Sequence, residues 1–238
     1  MLQDVQAERM DTRQADFDRD VGGGLPAGCL IEVVGRVGVG KTLFALYLSR
    51  LMQERQGIVV FADTEYSISE RWLERCGVKG NFALCTSRSF GMRTVEDICE
   101  GFIKMLDSVE SSKVPVLLVV DTLTAAPSNT DETEPQGHTQ AVSVAVQRVL
   151  PKLRSNTWLL VNNQSRFFAK KSGSNAASST EFVTKMYSPL RIQFLQCNER
   201  IGGEFTINYM LLANQFVPSK MREVVAGQMT ITLPKESQ

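Results

Sequence analysis

The octapeptide Gly35-Arg36-Val37-Gly38-Val39-Gly40-Lys41-Thr42 constrains this chain more than any other stretch. It lies between an apolar run, Leu30-Ile31-Glu32-Val33-Val34, and a segment whose apolar residues recur with helical period at Leu43, Phe44, Tyr47, Leu48, Leu51 and Met52. A strand must therefore run into a glycine-rich turn, and the turn into a helix. In that setting the pattern G-x-x-x-x-G-K-[ST] is a phosphate-binding P-loop. Its glycines let backbone N–H groups converge on phosphate oxygens, and the helix N-terminus adds a favourable dipole. All eight residues are candidate contacts for ATP. Lys41 would reach the β- and γ-phosphates, and the Thr42 hydroxyl would ligate Mg²⁺. The plain alternative is a glycine-rich turn with no ligand.

Composition narrows the setting. The 238 residues suit one α/β domain, and a hydrophobic content of 43% supplies a substantial core. The 26 basic and 26 acidic residues cancel, so contact with a polyanion needs a local basic patch rather than the field of the whole molecule. Five scattered cysteines without a C-x-x-C pair read as reduced thiols of a cytoplasmic protein. A single histidine, His138, excludes a multi-histidine metal site and argues against a histidine general base. The N-terminus is too charged for a secretory signal, and no apolar stretch is long enough for a membrane span, so no membrane partner is expected.

Patterning predicts an α/β fold: a mostly parallel central sheet flanked by helices, with an antiparallel C-terminal extension. Residues 1–20 are polar and charged and read as an N-terminal arm, partly helical at most; residues 21–238 read as the core. Continuous apolar runs at Ile58–Ala62, Val116–Val120 and Thr157–Val161 read as buried parallel strands. The first of these is expected beside the P-loop strand. Ser69 and Thr94 are placed to cap helices, and Pro151 to shorten one. Leu190–Leu195, Glu204–Leu212 and Gln228–Leu233 alternate apolar and polar residues, as antiparallel strands do. A long polar loop is expected from Ser165 to Thr184.

Hydrolysis of ATP needs a phosphate cradle, a metal and a positioned water. Asp121, at the C-terminal end of an apolar strand, is the second candidate metal ligand; a turn-capping role is the alternative. Glu65, in Asp63-Thr64-Glu65 beyond another strand, could orient and polarise the water, although its position equally suits a solvated glutamate. Gln164 ends the strand containing Asn162-Asn163-Gln164, where an amide could sense the γ-phosphate and move the loop beyond it. That loop opens with Arg166, Phe167, Phe168, Lys170 and Lys171. Cations interleaved with aromatics suit single-stranded nucleic acid, and also suit an ordinary solvated surface.

Together these segments resemble the RecA recombinase family, phage members included, over roughly residues 20–235. The resemblance is carried in order by Gly24-Leu25-Pro26-Ala27-Gly28, the P-loop, Phe61-Ala62-Asp63-Thr64-Glu65, Val119-Val120-Asp121-Thr122, Asn163-Gln164-Ser165-Arg166 and Lys185-Met186-Tyr187-Ser188-Pro189-Leu190-Arg191. It implies a RecA-like ATPase core using ATP and Mg²⁺ in a bacterial or phage-infected cell. Glu65 takes the place of the catalytic glutamate, Gln164 that of the phosphate sensor, and Trp72 that of the ring stacked on adenine. Pro127–Thr139 and Ser165–Thr184 match the two DNA-binding loops. The implied activity is pairing and strand exchange between single-stranded and duplex DNA, with DNA-stimulated ATP hydrolysis and self-association as a filament.

Departures from the family pattern are specific. Ser69 stands where an acidic adenine contact is expected, and Ala213-Asn214-Gln215 where interface lysines are; Lys220 and Arg222 follow nearby. Ser178-Ser179-Thr180 replaces a glycine pair, and the long N-terminal oligomerisation helix is reduced or missing. Two alternatives therefore stand beside the recombinase: an accessory or regulatory paralogue that binds nucleotide and a partner recombinase, and a ring-forming motor; a loader protein is a further candidate partner. A small-molecule kinase fits less well, because Glu65 with Gln164 suits water activation better than phosphoryl acceptance.

Overall fold

A computed structural model describes residues 7–79, 82–85, 92–129, 135–165, 179–217 and 225–234. The chain opens with β1 (Arg9–Met10), α1 (Ala15–Asp20) and β2 (Leu25–Pro26), and β1 pairs with β2. The P-loop joins β3 (Leu30–Gly35) to α2 (Lys41–Glu54). Then come β4 (Ile58–Asp63), α3 (Glu70–Cys76), β5 (Phe82–Cys85), α4 (Val95–Ser108) and β6 (Val116–Asp121). The chain continues with α5 (Pro135–Val149), β7 (Thr157–Gln164), α6 (Ser179–Tyr187), β8 (Leu190–Arg200), β9 (Glu204–Asn214) and β10 (Ala226–Thr232).

One eight-stranded sheet runs in the order β10-β9-β8-β3-β7-β6-β4-β5. The block from β8 to β5 is parallel, and β9 and β10 extend it antiparallel. The expected fold class holds, with one correction of order. The strand Ile58–Asp63 does not lie beside the P-loop strand: β7 and β6 stand between them. Those two strands are buried on both faces, as the interior of the sheet requires, whereas β4 sits one position from the edge.

Strand alternation divides the interior. Ile31, Val33, Leu117, Val119, Trp158 and Leu160 meet α2 on one face, while Leu30, Val120, Leu159 and Val161 meet α4 and α5 on the other. Thr94 caps α4 with a reciprocal Asp97 contact, and the chain leaves α5 through a short 3₁₀ turn containing Pro151.

The segment expected as an arm is part of the core in its described portion. Six-residue α1 could not persist alone in water. It is held because Phe17 is fully buried, edge-on to Phe44 at 5.7 Å and to Tyr209 at 5.1 Å between ring centroids. Tyr47 Oη donates to Thr12 O at 2.6 Å, and Tyr209 Oη to Asp20 Oδ2 at 2.7 Å. Its charged residues hid one decisive phenylalanine. The long loop is also shorter than expected, because α6 begins at Ser179.

Candidate active site

The P-loop wraps the N-terminus of α2. Gly40 caps the helix at φ +94°, and a Cβ there would lie 2.8 Å from Ile207 Cδ1, so only glycine fits. Because Gly40 brings no capping side chain, the N–H groups opening α2 have no side-chain acceptor among the described residues; this is the geometry that accepts an anion. Lys41 is buried and folds back over the loop, donating from Nζ to Gly35 O at 3.1 Å and Arg36 O at 2.9 Å. Burial pushes its ammonium pKa down, while the carboxylates of Asp121 and Glu65 pull it up. Three residues chosen from distant parts of the sequence therefore share one electrostatic neighbourhood.

Asp121 ends β6 at 2% exposure. Its register neighbours are Asp63 on β4 and Asn162 on β7. Oδ1 accepts from Asn162 Nδ2 at 3.0 Å, whereas Oδ2 is buried without a hydrogen-bond partner among the described residues. Burial raises the carboxyl pKa, and the Thr42 hydroxyl and Asn162 amide beside it pull the other way. An under-coordinated buried carboxylate oxygen next to a threonine hydroxyl suits Mg²⁺, which takes one or two protein oxygens and completes its shell with water and phosphate. These residues fit the metal assigned to them.

Glu65 sits on a turn organised by Asp63, whose carboxylate accepts from Ser67 N at 3.2 Å and Ile68 N at 3.0 Å. The turn is fastened to β6 through Thr64 N to Asp121 O at 2.9 Å and Thr64 Oγ1 to Thr122 O at 2.7 Å. Glu65 Oε1 then accepts two donors, Thr122 Oγ1 at 2.8 Å and Gln164 Nε2 at 2.7 Å. The exposed glutamate is thus held in place. Lys41, Thr42, Asp121, Glu65 and Gln164 all gather at the C-terminal edge of the parallel strands, where open α/β sheets bind ligands.

Trp72 is half-buried on α3, with the Arg75 guanidinium 5.5 Å from its ring centroid. Ser69, in place of the expected acid, caps this helix by accepting from Trp72 N at 3.2 Å. Arg166, Phe167, Phe168, Lys170 and Lys171 lie outside the described residues, as do Lys220 and Arg222. Part of the other expected DNA loop is described: His138 Nε2 lies 2.8 Å from Ala126 O. Sequence reasoning passed over Thr122, Thr124, Asn162, Asn163 and Glu32. A charge inside an apolar strand, and two amides beside the chosen glutamine, were the available signals.

The RecA N-terminal domain matches residues 2–203. This chain belongs to the RecA family. Among curated proteins, RecA of Aquifex pyrophilus and RecA of Aquifex aeolicus are each 26% identical over 230 residues, 91% of this chain and 64% of theirs. A mitochondrial DNA repair protein recA homolog of Dictyostelium discoideum is 27% identical over 178 residues, 71% of this chain and 38% of its own length. The chain therefore spans less than two thirds of the length of these RecA relatives. Among the described residues, no helix is long and apolar enough to cross a membrane.

Proposed function

We propose that this chain is an ATP-dependent recombinase acting on single-stranded DNA, with residues 21–238 as its ATPase core and residues 7–20 packed into that core through Met10 and Phe17. The observation that carries the reading is the double hold on Glu65 Oε1 by Thr122 and Gln164. A surface glutamate has no need of two fixed donors; a residue that must orient a water does. Lys41 and the N–H groups of α2 would bind the phosphates, and Thr42 with Asp121 would hold Mg²⁺. Bound Mg·ATP supplies the phosphoryl group transferred to water.

In this reading Glu65 receives the water's proton at the carboxylate, while Thr122 keeps that carboxylate aimed. Gln164 Nε2 carries two N–H donors, so it can engage a phosphate oxygen while remaining near Glu65. The sequence beyond Gln164, with Arg166, Phe167, Phe168, Lys170 and Lys171, would grip the DNA strand. ATP favours the gripping state, hydrolysis favours release, and a filament of subunits would pair single-stranded with duplex DNA. The likeness to RecA of Aquifex pyrophilus, and to a mitochondrial DNA repair protein of Dictyostelium discoideum, supports this reading.

The test is ATP hydrolysis with and without single-stranded DNA. Stimulation by DNA, accompanied by assembly, is expected. Hydrolysis whose rate and oligomeric state ignore DNA would sink the proposal. One observation favours a second reading, an accessory paralogue that assists a partner recombinase. Where the family is expected to place interface lysines, Asn214 instead turns inward, donating from Nδ2 to Asp20 O at 3.1 Å. Electron microscopy with DNA and a slowly hydrolysed ATP analogue separates the two: continuous filaments of the purified protein exclude the accessory role.

A further inference from the structure

Strand β3 carries a charge where a strand buried on both faces ordinarily carries none. Glu32 is fully buried, and Arg191, its register neighbour on β8, donates to Oε2 from Nε. Glu32 Oε1 accepts from Asn163 Nδ2 at 2.8 Å and from Thr184 Oγ1 at 2.6 Å. Asn163 Nδ2 also lies 3.1 Å from Thr184 Oγ1. A buried ion pair of this kind adds little net stability over apolar residues of the same volume. What such a cluster can supply instead is a defined arrangement of the elements that meet in it.

Four elements meet here, and one leads to the candidate active site. The amides that end β7 alternate between faces of the sheet. Asn162 donates to Asp121 on the α2 face, Asn163 enters the Glu32 cluster on the opposite face, and Gln164 returns to Glu65. Thr124 ties the last two together: its Oγ1 donates to Asn163 Oδ1 at 3.0 Å and accepts from Gln164 N at 3.2 Å. The far end of the cluster is Thr184, fully buried on α6, the helix that follows the segment 166–178. A continuous hydrogen-bonded path thus runs from Glu65 through Gln164, Thr124 and Asn163 to Thr184.

We propose that Thr124, Asn163, Glu32 and Thr184 are positioning residues that couple the nucleotide state felt by Gln164 to the placement of α6. The proposal deepens the functional reading above and rests on it for what α6 would control. Any shift of the Gln164 main chain changes the Thr124 hydrogen bond directly, and Asn163 transmits it to Thr184, a polar anchor of α6 on β3 that stands beside the bond from Ser188 Oγ, just beyond α6, to Leu30 O at 3.1 Å. Close-packed interiors respond to such shifts by moving between discrete arrangements rather than by yielding smoothly.

Hydrogen exchange of residues 179–187 tests the coupling in the full chain, with Mg²⁺ plus a slowly hydrolysed ATP analogue compared with Mg²⁺ plus ADP. Wild type is expected to show different α6 protection in the two states. Thr184→Val should reduce that difference about fivefold or more, with affinity for the analogue kept within about twofold and Thr184→Ser restoring the response. Should Thr184→Val fail to fold, Thr124→Val breaks the path without touching the buried ion pair. Identical α6 protection in the two wild-type states, or a difference that survives both valine variants, overturns the proposal. Affinity for a dT oligonucleotide, measured in parallel, distinguishes failure of the functional reading. An α6 response to nucleotide without any change in oligonucleotide affinity keeps the coupling and removes DNA as its output.

Discussion

Asp121→Asn should make the ligand-free protein more stable and the liganded protein less so. In the absence of metal, Asp121 is a buried carboxylate with one oxygen unpartnered among the described residues, and burial is the largest influence on its pKa, raising it. A group whose folded pKa lies above its unfolded value favours folding in its protonated form. Stability is therefore highest below the unfolded pKa and is lost as pH rises through the folded one, so the penalty grows from acid toward higher pH. An unsatisfied buried polar group costs about 1–3 kcal/mol, part of which Thr42 and Asn162 offset here. Asparagine removes the charge and can donate to Asn162 Oδ1, which is itself buried and unpartnered among the described residues. A gain of about 1–2 kcal/mol corresponds to roughly 2–8 °C in Tm for a domain of this size. Thermal melts in chelator from pH 4 to pH 8 should show the variant ahead at neutral pH and the gap closing in acid. With saturating Mg·ATP the order should reverse, because ligand at 100 times Kd adds about 2.7 kcal/mol to the wild type alone. A variant less stable than wild type at every pH in chelator would refute the reasoning, since it would mean that Asp121 is structurally satisfied without a metal.

Three further outcomes follow from the geometry. Glu65→Gln should cut phosphate release about 10²- to 10⁴-fold while nucleotide affinity, measured by a fluorescent analogue, stays within about twofold. Phe17→Ala should destabilise the protein by about 3–5 kcal/mol in urea titration, because it empties the contact between Phe44 and Tyr209; a change under about 1 kcal/mol would return residues 7–20 to the status of an arm. Burial pushes the Cys76 thiol up to about 12, so iodoacetamide at pH 8 should label it only after unfolding, as mass spectrometry of the digested protein can show.

Much of the candidate site was legible in the sequence because Asp121 and Gln164 end buried strands and Glu65 lies two residues beyond another. An apolar run that stops at Asp121, or at Asn162-Asn163-Gln164, says where the ligand edge of the sheet is, without a three-dimensional picture. The order of the strands was not legible. Nothing in Ile58–Ala62 says that two other strands separate it from Leu30–Gly35, since buried parallel strands all read alike. Phe17 was lost for a related reason: one aromatic among many charges has no periodicity to betray burial.

The octapeptide and its flanks determined by themselves that a strand, a glycine turn and a helix would follow one another, because the signals involved lie within about two dozen consecutive residues. Local chemistry of that kind is written in order along the chain. The pairing of Glu65 with Gln164, and of Glu32 with Asn163, Thr184 and Arg191, was decided only by tertiary structure. These partners lie 99, 131, 152 and 159 positions apart in sequence, and a side chain's neighbours across a sheet depend on register and strand order, which no local pattern encodes.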